Sequence, residues 1–247
     1  MYFVLFFVLS CLSTCHCLID RDENEKHCGL PKQWLESTSV SVEIGQKGFH
    51  REVATTVELS PAGVSEVRVL LIHRWPRGVF VDPYQLTFLS NQSDWLVLLD
   101  SAIDLEVPAH KTSGFVTYVY PTLDGPIPRV LKVAIPIHGR YHEPSFAGNS
   151  FTSVNIEPPE LLLRINKCVL LNNVEPHIVV DAPCTAENSS TCSWVKIQQQ
   201  QKQEQGPMSL QLPVGDGSLV TAVCCGTLIV TMICCVALSR YMWKHQI

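Results

Sequence analysis

Paired carboxylates are the first residues to test for chemistry in this chain, because two of them a few positions apart can hold a metal ion or divide acid and base roles. Asp20-Arg21-Asp22 spells D-x-D, a pattern open to a sugar-transferring enzyme, but it lies inside the charged run DRDENEK and reads as a solvated terminus. Asp100 and Asp104 stand four apart, with the apolar run Trp95–Leu99 before them and Pro108 after, which is the setting of a turn. His138 and His142 have the i, i+4 spacing of a helix-borne metal pair. Pro136 and Pro144 bracket them, Gly139 interrupts them, and no third ligand stands at useful spacing. The chain has no G-x-S-x-G, no phosphate-binding glycine loop and no dinucleotide fingerprint. These patterns lead to a chain with no catalytic residue, no metal site, no cofactor and no small-molecule substrate of its own, whose role is binding.

Cysteine placement speaks to compartment. Of eleven cysteines, Cys28, Cys168, Cys184 and Cys192 lie in the body of the sequence, an even set that an oxidising lumen would pair in one of three ways. The expected pairs are Cys184–Cys192, closing a short loop around Asn188, and Cys28–Cys168, joining the two ends of the domain. No C-x-x-C occurs among the four. Asn91-Gln-Ser93 and Asn188-Ser-Ser190 are candidate glycan acceptors on the same side of a membrane.

The elements that must position these residues read as strands. Val64–Ile72, Trp95–Leu99, Phe115–Tyr120 and Val130–Ile137 alternate apolar and polar residues or run densely apolar, and are rich in Val, Ile, Thr and Tyr. Turn chemistry separates them: Trp75-Pro76-Arg77-Gly78 ends the first, and Asp124-Gly125-Pro126 is a hairpin-like signal between the last two. Prolines at 76, 83, 108, 121, 126, 128, 136 and 144 are too many for a helical body. The predicted fold class is all-β: a luminal β-sandwich-like domain, then a flexible stalk and a single C-terminal transmembrane helix.

Tyr2–Leu9 (YFVLFFVL) is too short to span a bilayer and has the length of a signal-peptide core, so residues 1–17 read as a cleaved signal. Residues 18–186 read as the luminal β-rich domain, and residues 187–217 as a Gln-rich stalk without periodicity. The uncharged stretch Ser218–Ser239 is long enough, at ~1.5 Å per residue, to cross ~30 Å of hydrocarbon. Arg240 and Lys244 follow it within a cytosolic tail, residues 240–247. Ser218, Ala222 and Gly226 recur every fourth residue, the small-xxx-small pattern that lets another membrane helix approach closely. With 17% charged residues, 46% hydrophobic residues and a net charge of −5, the chain fits neither a disordered segment nor a nucleic-acid binder.

Three segments carry a family resemblance: Trp75-Pro76-Arg-Gly78-Val-Phe-Val-Asp82-Pro83-Tyr84-Gln-Leu86, Asp104-Leu-Glu-Val-Pro108, and Ile135-Pro-Ile-His-Gly-Arg140-Tyr141-His142-Glu-Pro144, with Glu160-Leu-Leu-Leu-Arg164 downstream. Together they resemble the PIG-X family, the non-catalytic partner of the first GPI-anchor mannosyltransferase. The resemblance implies a glycoprotein of the endoplasmic-reticulum membrane that stabilises the multi-spanning enzyme PIG-M. Within the signature, Pro76, Gly78, Pro83 and Pro144 are expected to set turns, Tyr84, Leu86 and Tyr141 to fill the core, and Arg140 and His142 to face the partner. The competing reading is a single-pass, immunoglobulin-like surface receptor. It would need a Cys–Trp–Cys core spacing that Cys28 and Cys168, about 140 residues apart, do not supply.

Overall fold

The computed structural model describes residues 38–45, 47–59, 67–122, 129–165, 178–187, 190–197 and 208–245. The expected signal over residues 1–17, Cys28, Cys168, Asn188 and Asp124–Pro126 lie outside the described residues. The strands, in chain order, are β1 (Ser39–Gly45), β2 (His50–Leu59), β3 (Val67–Trp75), β4 (Val79–Phe80), β5 (Trp95–Leu99), β6 (Phe115–Pro121), β7 (Arg129–Gly139), β8 (Phe151–Ile156), β9 (Glu160–Ile165), β10 (Ile178–Pro183), β11 (Thr191–Lys196) and β12 (Met208–Pro213). Helix α1 (Pro83–Gln92) lies between β4 and β5, and helix α2 (Val220–His245) follows β12.

Two main sheets face each other. One has the order β1-β2-β7-β4 and the other β10-β11-β9-β3-β6-β5, and β12-β8 form a small third sheet. Period-two patterning decides which side chains meet between them. Val53, Val57 and Leu59 of β2 and Leu131, Val133, Ile135 and Ile137 of β7 are buried, with Val53 opposite Ile135 and Val57 opposite Leu131. They share one core with Val67, Val69 and Leu71 of β3, Leu161 and Leu163 of β9, and Val195 of β11. The reverse face of the six-stranded sheet buries a second cluster of Leu70, Ile72, Leu162, Ala182 and Trp194. Burial on both faces explains why β3 and β9 read as dense apolar runs instead of alternating ones.

Two expectations change. The strands on either side of Asp124–Pro126 are not hairpin partners: β6 pairs with β3 and β5, whereas β7 pairs with β2 and β4 in the other sheet. Local turn chemistry turns the chain but does not choose the partner strand. The stretch 187–217 is not a free tether either. β11 pairs with β10 and β9, Trp194 is wholly buried, β12 pairs with β8, and Leu210 and Leu212 enter the main core. The Gln-rich part, residues 198–207, lies outside the described residues.

Gly217–His245 forms a helical stretch long and apolar enough to cross a membrane, and past Gly217, which is buried at its entry, none of it is buried against the body. The hydroxyls of Thr227, Thr231 and Ser239 donate to carbonyls one turn back, which satisfies these polar groups inside the helix.

Candidate functional site

The three motif segments, up to about 60 residues apart in sequence, converge on Arg140. β4 pairs with the end of β7, Val79 opposite Gly139 and Phe80 opposite His138, and Arg140 donates its backbone N–H to the Gly78 carbonyl at 2.9 Å. Its Nη1 donates to the Val107 carbonyl at 2.6 Å, which draws the 104–108 segment onto the sheet. The guanidinium lies 4.9 Å from the centre of the Phe80 ring, within cation–π range. One residue further, the Tyr141 carbonyl accepts from the Ala109 N–H at 3.0 Å. Arg140 is therefore a clamp at 4% exposure and does not present its charge to a partner, contrary to the expectation for it. Burial lowers its proton affinity, and the nearby Asp104 carboxylate opposes that shift.

Local chemistry explains the other arm. Asp82 caps α1, its Oδ1 accepting from the Tyr84 N–H at 2.9 Å, and Pro83 occupies the first helical turn, where no hydrogen bond is lost. Pro83 thus starts a helix where a turn was expected, and the Asp-Pro pair was its sequence signal. Leu86 is buried as expected. Tyr84 and Tyr141 are not core residues: they are 83% and 76% exposed. Tyr84 and Phe88, four apart on α1, leave one aromatic face uncovered. Pro76 accepts the Val79 N–H at 3.2 Å, closing the turn that carries the chain from one sheet to the other. Gly78 has no room for a side chain, since a Cβ would fall 2.6 Å from Val154 Cγ2. Pro144 is exposed.

His138 and His142 have different surroundings and do not form a pair. The His138 Nε2–H donates to Gln85 Oε1 at 3.0 Å, so in its neutral form Nδ1 accepts from the Nδ1–H of His50 at 2.7 Å. Burial and the neighbouring His50 lower its pKa, with Asp82 opposing. His142 is half-buried beside Gly78, its Nε2 without a hydrogen-bond partner. It lines a cleft of about 260 Å³ together with Arg77, His110, Glu143, Ser145 and Val214. Burial, then the Arg77 and His110 charges, lower its pKa. Asp100 accepts from the Val116 N–H at 3.0 Å, a cross-strand bond from the end of β5 to β6, and Asp104 accepts from the Glu106 N–H at 3.0 Å within a turn.

Cys184 and Cys192 form a disulfide, and Asn91 is exposed in the last turn of α1. Ser218 precedes α2 in a 3-10 turn, its hydroxyl donating to Asp216 Oδ1 at 2.6 Å, so the small-residue face within α2 begins at Ala222 and Gly226. Sequence reading missed Phe80 and Val107, the two groups that hold Arg140. Neither carries a signal of its own, because a backbone carbonyl and a ring face become partners only through the fold.

The PIG-X / PBN1 family model matches residues 46–243, which contain every one of these contacts. The chain belongs to the PIG-X / PBN1 family. A human relative named "GPI alpha-1,4-mannosyltransferase I, stabilizing subunit" is 27% identical over 206 residues, covering 82% of this chain and 79% of its own. The rat protein of the same name is 26% identical over 201 residues, covering 80% and 79%. These names give no support to the receptor reading. In this PIG-X member the motif residues that drew attention in the sequence largely build the junction between the two sheets.

Proposed function

We propose that this chain is the non-catalytic stabilising subunit of GPI mannosyltransferase I in the endoplasmic-reticulum membrane. Its partner is the multi-spanning catalytic subunit PIG-M, which moves the first mannose from dolichol-phosphate-mannose to the GPI-anchor precursor. The observation that carries this reading is the family match over residues 46–243 together with relatives named as the stabilizing subunit. The body lies in the lumen, α2 crosses the bilayer and the tail is cytosolic. The Cys184–Cys192 disulfide and the basic pair Arg240 and Lys244 after the apolar stretch support that orientation.

Binding to the folded catalytic subunit, and not to its unfolded form, raises the folded population by mass action. Ala222 and Gly226 offer close approach for a neighbouring membrane helix, and the uncovered aromatics Tyr84, Phe88 and Tyr141 offer contact area on the luminal side. Depleting the chain tests this reading. Abundance of the catalytic subunit is expected to fall in step with activity, leaving the rate per remaining enzyme unchanged. Constant abundance with a fallen specific rate would overturn it.

A further inference from the structure

The loop after β7 is fastened to the residues that enter α2. The Ser145 N–H donates to the Gly215 carbonyl at 2.8 Å, and the Gly217 N–H returns to the Ser145 carbonyl at 2.9 Å. Ser145 and Asp216 form a parallel bridge, and the Val214 N–H donates to the Ser150 carbonyl at 3.0 Å. The Ser145 hydroxyl accepts from the Ala147 and Asn149 N–H groups, which folds the loop back on itself. These bonds hold the Phe146 ring against Gly217 so closely that a Cβ there would lie 2.8 Å from ring carbons. Phe146 is nevertheless 81% exposed, and Leu219, two residues past Gly217, is exposed as well.

The length of α2 sets the depth of this loop. Counting back from Ser239, the last residue before Arg240, about 20 helical residues at ~1.5 Å each cover the ~30 Å of hydrocarbon and end at Val220. Gly217 then lies within one helical turn of the hydrocarbon boundary, about 5 Å from it, and a ring resting on Gly217 shares that level. An aromatic ring that the protein leaves uncovered at this depth is in the layer where such rings partition favourably.

We propose that the loop Pro144–Asn149 is a membrane foot: Phe146 enters the interfacial layer of the bilayer beside the entry of α2 and seats the β body directly on the membrane. This rests on the reading of α2 as the membrane span. The uncovered ring thereby has one occupant, lipid, and the body is held at one height by a backbone-bonded loop in addition to the span.

Benzophenone-bearing phenylalanine placed singly at positions 146, 230 and 130 of the full-length chain, in nanodiscs of alkyne-tagged phosphatidylcholine, tests the foot. Val230 lies mid-helix, and exposed Val130 lies at the end of β7 remote from Gly139, about 30 Å along the strand. On irradiation, lipid adducts are expected at 230 and at 146, and at least fivefold fewer at 130. Lipid adducts at 230 with no more at 146 than at 130, or only protein adducts at 146, overturn the foot and leave the span standing. No lipid adducts at 230 remove the span and the foot with it. A Phe146→Trp chain in vesicles of phosphatidylcholine brominated near the carbonyl gives a reading without the bulky group. Quenching should exceed that of the unsubstituted chain, and equal quenching counts against the foot.

Discussion

Arg140 occupies a position where a charged group is costly unless its neighbours answer it. Val107 supplies an acceptor carbonyl and Phe80 a ring face, so the same side chain ties two loops to the end of β7. Arg140→Leu should lose about 2–3 kcal/mol of stability, because the Val107 carbonyl is left without its charged donor. Arg140→Lys should recover only part of it, a compact ammonium being a poor substitute for a planar fork over a ring. Chemical denaturation of the detergent-solubilised chains measures both, and equal stability of the Leu variant and wild type would remove the clamp role. Sequence marked Arg140, Tyr84 and Tyr141 as significant but assigned them the wrong environments. A charged residue is a poor bet for burial and a tyrosine a good one, and only the carbonyl and ring brought in from elsewhere reverse that here.

At the level of elements, β11 is the informative case. Thr191-Cys-Ser-Trp194-Val-Lys196 lies beside a Gln-rich run and reads as part of a tether, yet Trp194 is packed between Leu70, Ile72 and Leu162, with its Nε1–H donating to the Ala182 carbonyl at 3.3 Å. Trp194→Ala should cost about 3–5 kcal/mol and open the 191–197 segment to limited trypsin digestion at Lys196. A Trp194→Ala chain as protease-resistant as wild type would return that segment to the tether reading. The converse holds for Asp124–Pro126, where a strong turn signal suggested pairing between β6 and β7. Those strands go to opposite sheets because each is completed by neighbours that precede it in the chain, β3 and β5 for one, β2 and β4 for the other. Strand identity was legible for β6 and β7 from alternation and for β5 from its dense apolar run; strand partnership was not.

For the whole molecule, buried histidine links stability to pH. His73, inside β3 and stacked on Trp75, is held neutral by burial, its pKa drawn from 6.5 down to about 3. The unfolded chain therefore binds a proton that the folded chain refuses between those values, so stability is complete above about pH 6.5 and declines as pH falls through the window. At pH 5 the loss is about 2 kcal/mol. His138 and His142, also lowered, act in the same direction. Denaturation midpoints at pH 7.5, 6 and 5 should fall steadily for wild type and less steeply for His73→Phe; parallel slopes would discount His73. Orientation makes a separate prediction. Asn91→Gln and Asn188→Gln should each remove one endoglycosidase H-sensitive step in gel mobility, whereas unchanged mobility in both would contradict a luminal body.

Read alone, the sequence determined the all-β class, the apolar C-terminal helix and the family, and favoured the Cys184–Cys192 pair among three possible pairings. All of these are encoded locally, in side-chain period, in run length, in a short loop between two thiols, or in residue strings. The tertiary structure decided which strands pair, that residues 191–197 and 208–213 belong to the body, that Arg140 turns inward, and that Phe146 rests on Gly217. Those properties depend on contacts between residues tens of positions apart, where the free energy of burial is shared between surfaces that no local window contains.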